Sequence, residues 1–106
     1  MENESVRLER EEVNALIKLI LYVKFECEDL GSTMYSSSPI INSIFEKVLN
    51  MYGYKEDWDN VFVKIPEVKK SFVFNKIEIL ESQQGHCFEE ETKKIILDNH
   101  LYPYKI

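Results

Sequence analysis

At 106 residues, 44% of them hydrophobic and with three glycines and three prolines, the chain has material for one core that buries roughly two thirds of its unfolded surface. It is too apolar and too poor in linker residues to be disordered throughout. Its net charge is −6, and the excess lies in the first part: residues 1–60 hold 12 acidic and 6 basic side chains, and residues 61–106 hold 7 of each. Such a balance repels nucleic acid and anionic membrane, attracts basic protein surfaces and favours solubility. The start Met-Glu-Asn-Glu-Ser lacks the positive charge of a secretory leader, and the longest apolar run, Leu19 to Val23, is far too short to span a bilayer. Two cysteines are fewer than a secreted scaffold of this size usually carries. Free thiols and a cytoplasmic location are expected.

Half of residues 1–10 are charged, and residues 1–9 fit a flexible tail, a short strand or a first helical turn equally well. From Arg10 the pattern becomes helical. Val13, Leu16, Ile20, Val23, Cys27 and Leu30 alternate steps of three and four, Glu11 and Glu12 suit the positive end of the dipole, and Gly31 supplies a stop. Glu26, Glu28 and Asp29 fit the far end badly, because they add negative charge where the dipole is already negative. Ile17, Leu19, Leu21 and Phe25 make this helix apolar over much of its circumference, which suits either a central position or a homodimer contact.

Ser32 to Ser38 reads as a polar loop. Ser38-Pro39 then supplies an N-cap and a proline at the first helical position. Ile40, Ile44, Val48 and Met51, flanked by Ile41, Phe45 and Leu49, carry a second helix as far as Tyr52-Gly53, antiparallel to the first. Tyr54 to Asn60 combines acids with aromatics, as a connection or the opening of a short helix. Val61, Phe62, Val63 and Ile65 have strand-like composition, and so does Phe72 to Leu80, which allows a hairpin across residues 61–80. Pro66-Glu67 as a helix start, the helical spacing of Val73, Ile77 and Leu80, and Gly85 after Ser82-Gln83-Gln84 favour a helix instead. Lys69 and Lys76 fit that helix least. Glu89, Glu90 and Glu91 open a last helix that runs to Asp98-Asn99, and the tail through Pro103 has Leu101, Tyr102, Tyr104 and Ile106 with which to dock on the body.

The predicted fold is therefore mainly α, a single small helical bundle over residues 1–106 with a long N-terminal helix. The alternative is α+β with the 61–80 hairpin against the helical pair.

No cofactor loop or metal array has convincing spacing. Cys27, His86, Cys87 and His100 are the soft-metal candidates, but adjacent His86 and Cys87 seldom share an ion, and neither C-x-x-C nor H-x-x-x-H occurs. Cys87 could serve as a nucleophile only with a base nearby, and side chains next to each other in sequence usually point apart. Glu56, Asp57 and Asp59 around Trp58 resemble part of a calcium loop, yet Val61 and Phe62 stand where a further ligand and a glycine are needed. Lys64, Lys69, Lys70 and Lys76 form a sparse basic cluster without arginine, thin for duplex binding. By elimination the chain reads as a non-enzymatic protein-interaction module, of immunity-protein, phage-inhibitor or adaptor type. Tyr54, Glu56, Asp57, Trp58 and Asp59 would meet another protein that carries a basic surface. The competing readings are a regulator binding DNA through 64–76 and a small thiol enzyme using Cys87.

Overall fold

The computed structural model describes residues 5–104. Six α-helices follow one another in chain order: α1 Arg10–Phe25, α2 Thr33–Ser36, α3 Pro39–Leu49, α4 Lys55–Val61, α5 Glu67–Gln84 and α6 Glu90–Leu101. Short 3-10 turns occupy Leu30–Ser32 and Met51–Gly53. No strand occurs among the described residues, so the helical reading from Pro66-Glu67 onward is the correct one and the 61–80 hairpin is not formed. Val61 ends α4, and Phe62 and Ile65 are buried from the connection that follows rather than from a sheet.

The first helix ends five residues earlier than its apolar period predicts. Glu26 is already the C-cap, and its N–H and that of Cys27 both donate to the Tyr22 carbonyl, at 2.9 and 3.0 Å. Termination here moves Glu26, Glu28 and Asp29 out of the last turn, where their charges would oppose the dipole. At 16 residues α1 is also shorter than α5, which has 18. Its buried face is Val13, Ile17, Ile20, Lys24 and Phe25, so Leu16 and Val23 of the predicted seam lie at its edge.

The serine-rich segment is no simple loop. Ser32, Thr33 and Ser36 are buried in the 3-10 turn and α2. The two serine hydroxyls turn back onto backbone carbonyls, Ser32 to Asp29 at 2.6 Å and Ser36 to Thr33 at 3.4 Å, which lets these small polar side chains pack inside. The predicted start of α3 is present: Ser38 Oγ accepts the Ile41 N–H at 3.2 Å and Pro39 occupies the first turn. The last helix continues two residues past Asn99 and so takes in His100 and Leu101.

Helices α1 and α3 run antiparallel. Arg10 lies 5.3 Å from the centre of the Tyr52 ring, whose hydroxyl donates to the Leu8 carbonyl, while at the other end Lys24 reaches the Ser36 carbonyl. The core joins Val13 and Ile17 of α1, Phe45 and Val48 of α3, and Val73 of α5 to Leu101 and Tyr104. A string of aromatic contacts runs through it: Phe25 to Tyr104 at 5.3 Å, Tyr104 to Phe62 at 5.0 Å, Phe62 to Phe45 at 6.4 Å and Phe45 to Tyr102 at 6.1 Å, all edge-to-face. Each such pair adds about 0.5–1.5 kcal/mol beyond area burial.

Candidate functional site

Two surface features stand out from this frame. The first is an apolar groove of about 240 Å³ where α1 meets α2 and α3, lined by Leu16, Leu19, Val23, Tyr35, Ile41 and Ile44. Several of its large apolar side chains are open to solvent: Leu19 is 58% exposed, Tyr35 in α2 56% and Ile44 42%. The groove follows from sequence. Helix α1 has more apolar residues than one face can bury, and α3 adds Ile40 and Ile44 beside the row Phe45, Val48 and Leu49 that fills the core. The sequence pattern carried its signal as the unusual circumference of α1, but periodicity alone placed Leu16 and Val23 inside.

A buried polar junction forms the inner wall of the groove. Lys24 is 0% exposed and donates to the carbonyls of Ser36 (2.9 Å) and Asn99 (2.8 Å), where α2 and α6 end. Carbonyls near helix ends suit a cation. Among the described residues no carboxylate pairs with Lys24, and burial pushes its ammonium down to about 7. His100, also 0% exposed, has Nε2 2.6 Å from the Lys24 carbonyl, which can only accept, so Nε2 carries the proton. Nδ1 then faces the Ser36 hydroxyl at 3.3 Å. Burial pulls the imidazole down to about 4; the bond to the Lys24 backbone opposes this, and the Lys76 and Lys24 charges reinforce it. Asn42 Nδ2 donates to the same Asn99 carbonyl at 3.0 Å.

The second feature is a cleft of about 310 Å³ beside α4, and it contains two of the five residues expected to bind a partner. Trp58 and Asp59 line it together with Glu46 and Tyr102. Trp58 is half-buried and stacked on Phe62 at 5.5 Å and 16°. Tyr54 is half-buried against the core, its ring 6.3 Å from that of Tyr52. Glu56 and Asp57 are exposed in the first turn of α4 and do not line the cleft. The segment is therefore a helix with an aromatic inner side and an acidic outer one.

The remaining candidates are dispersed. Lys76 is buried and donates to the Cys27 carbonyl at 2.8 Å and to the Ser32 hydroxyl; burial lowers its pKa, and Cys27 and Asp29 counter that. Lys69 is half-buried, donating to the Tyr104 hydroxyl at 3.0 Å. Two of the four lysines of the basic cluster are thus used inside the fold. Cys87 is exposed while the His86 ring faces the Gln84 carbonyl at 3.2 Å, and the buried His100 is held by Lys24 and Ser36. Among the described residues no three His, Cys, Asp or Glu side chains gather as metal ligands would, and no helix is long and apolar enough to cross a membrane. No family model, no curated protein and no solved structure matches the chain.

Proposed function

We propose that this chain is a small cytoplasmic protein-binding module that acts by seating part of another protein in the groove between α1, α2 and α3. The observation that carries the reading is the gathering of exposed Leu19, Tyr35 and Ile44 around one groove. Covering them recovers about 25 cal/mol for each Å² of apolar surface removed from water. The groove edge of α1 is bracketed by two exposed acids, Glu12 four residues before Leu16 and Glu26 three after Val23, roughly 21 Å apart along the helix. Antiparallel self-pairing of that edge would set Glu12 against Glu26, whereas a partner with lysine or arginine flanking its apolar anchors would be attracted. An immunity protein, an inhibitor and an adaptor all work by such occupancy, without catalysis.

The test is affinity purification of the tagged chain from its native host at low salt, with a nuclease-treated parallel sample and three variants. A stoichiometric protein partner should be retained by the wild type and by Ile79→Asp, an exposed apolar site on α5, and reduced at least tenfold by Leu19→Asp and by Ile44→Asp. Equal retention by all variants would sink the groove reading. Nuclease-sensitive nucleic acid in place of protein would favour the DNA-binding alternative, and a dimer in sedimentation abolished by the same two substitutions would make the occupant a second copy.

A further inference from the structure

The cleft beside α4 differs in chemistry from the groove and is separate from it. Glu46, which lines the cleft, and Ile44, which lines the groove, are two residues apart on α3 and so lie on opposite sides of that helix. Three parts of the chain build the cleft: Glu46 from α3, Lys55, Trp58 and Asp59 from α4, and Tyr102 with Pro103 from the segment after α6. Two carboxylates on different helices, Glu46 and Asp59, line the same cleft as Tyr102, whose pKa is raised first by burial and then by those two charges. Stacking on Phe62 fixes the Trp58 ring as an aromatic wall beside those charges.

We propose that this cleft takes the guanidinium of an arginine side chain presented by a protein partner, with Glu46 and Asp59 meeting its charge and Trp58 lying against its plane. A flat aromatic wall next to paired carboxylates matches a planar, weakly hydrated cation that can both stack and fork its hydrogen bonds; the compact, strongly hydrated lysine ammonium matches it less well. The cleft volume of about 310 Å³ leaves room for the guanidinium and part of its stem. Both carboxylates belong to the acidic first part of the chain, whose net negative charge attracts basic partners. Lys55 shares the cleft and repels an incoming cation, so its removal should strengthen binding, an effect opposite in sign to that of losing either acid.

Trp58 is the one tryptophan of the chain, so its fluorescence reports on the cleft directly. The full chain is titrated with N-acetylarginine amide, N-acetyllysine amide and N-acetylcitrulline amide, the last having nearly the shape of arginine without its charge. The expected result is a saturable change in emission with arginine, at roughly 1–10 mM for a single side chain, with lysine several-fold weaker and citrulline at least tenfold weaker. Glu46→Gln combined with Asp59→Asn should weaken arginine at least tenfold with an unchanged far-ultraviolet circular dichroism spectrum, and Lys55→Ala should tighten it two- to threefold. No saturable response, an equal response to citrulline, or lysine binding as tightly as arginine would each overturn the proposal. The probes are single amino acids that cannot fill the groove, so a negative result leaves the groove reading standing, and a failed purification leaves this one standing.

Discussion

Lys24 and His100 carry the strongest residue-level consequences, because both are buried where their charged forms are disfavoured. For His100 the folded pKa of about 4 lies below the ordinary 6.5. Between those values the unfolded chain binds a proton that the folded chain refuses, so stability is intact above pH 6.5 and falls as the pH drops towards 4. The gap corresponds to about 3 kcal/mol. Urea unfolding at pH 7, 5.5 and 4 should show wild type losing that much more than His100→Gln, whose amide is neutral throughout; parallel curves would contradict the buried imidazole. Lys24 works in the same sense over a higher window. Its folded value of about 7 against 10.5 means that the folded chain carries the full penalty below pH 7 and sheds it as the pH rises to 10.5. Lys24→Met should abolish that gain between pH 7 and 10. At pH 7 its stability should change little, because removing a buried charge offsets leaving the Ser36 and Asn99 carbonyls without a donor.

At the scale of elements, the helices were legible where short local signals set them. Ser38 caps α3 through the Ile41 N–H, and Gly85 ends α5 in the left-handed region at φ 81°. Ser38→Ala should cost about 1 kcal/mol through loss of the cap, and Gly85→Ala about 1–2 kcal/mol through backbone strain, both measured by chemical denaturation. Burial was less legible, because the face a helix hides depends on its neighbours. Periodicity put Leu16 and Val23 in the seam of α1, but packing against α2, α3 and α5 rotated that seam so that it includes a lysine held by two carbonyls. Lys69 and Lys76 were legible as misfits and are indeed drawn into the fold, since each finds a polar partner within it. The strand-like run from Val61 to Ile65 kept a hairpin open as the alternative because β-branched composition is not by itself a strand: Phe62 and Ile65 are buried from the end of α4 and a connection, while Val61 and Val63 are exposed. Of the expected contact residues, Trp58 and Asp59 share a cleft, but Glu46 and Tyr102 come to it from distant parts of the chain that local pattern could not join to them.

Over the whole molecule, the fold is closed by its last described residues. Leu101 and Tyr104 are buried, and Tyr104 reaches Phe25 of α1, Phe62 after α4 and, through its hydroxyl, Lys69 of α5. The docking of the apolar tail was readable from sequence and holds for Leu101 and Tyr104, while Ile106 lies outside the described residues; that the tail ties together distant parts of the chain was not readable. These contacts join Tyr104 to residues as far back in the chain as Phe25, so core formation depends on closing a long loop. Tyr104→Phe removes one hydrogen bond and should cost about 1 kcal/mol, whereas Tyr104→Ala opens a cavity between α1 and α4 and should cost about 3–5 kcal/mol. A domain of this size is typically stable by about 5–15 kcal/mol, so the alanine variant should still fold, with a lowered melting temperature. A chain cut after Asp98 loses more: Leu101 and Tyr104 from the core, the Asn99 carbonyl that receives Lys24, and His100. Its thermal transition, followed by circular dichroism at 222 nm, should lose cooperativity altogether. A sharp transition in the truncated chain, or equal costs for Tyr104→Phe and Tyr104→Ala, would show that the helices close without the tail.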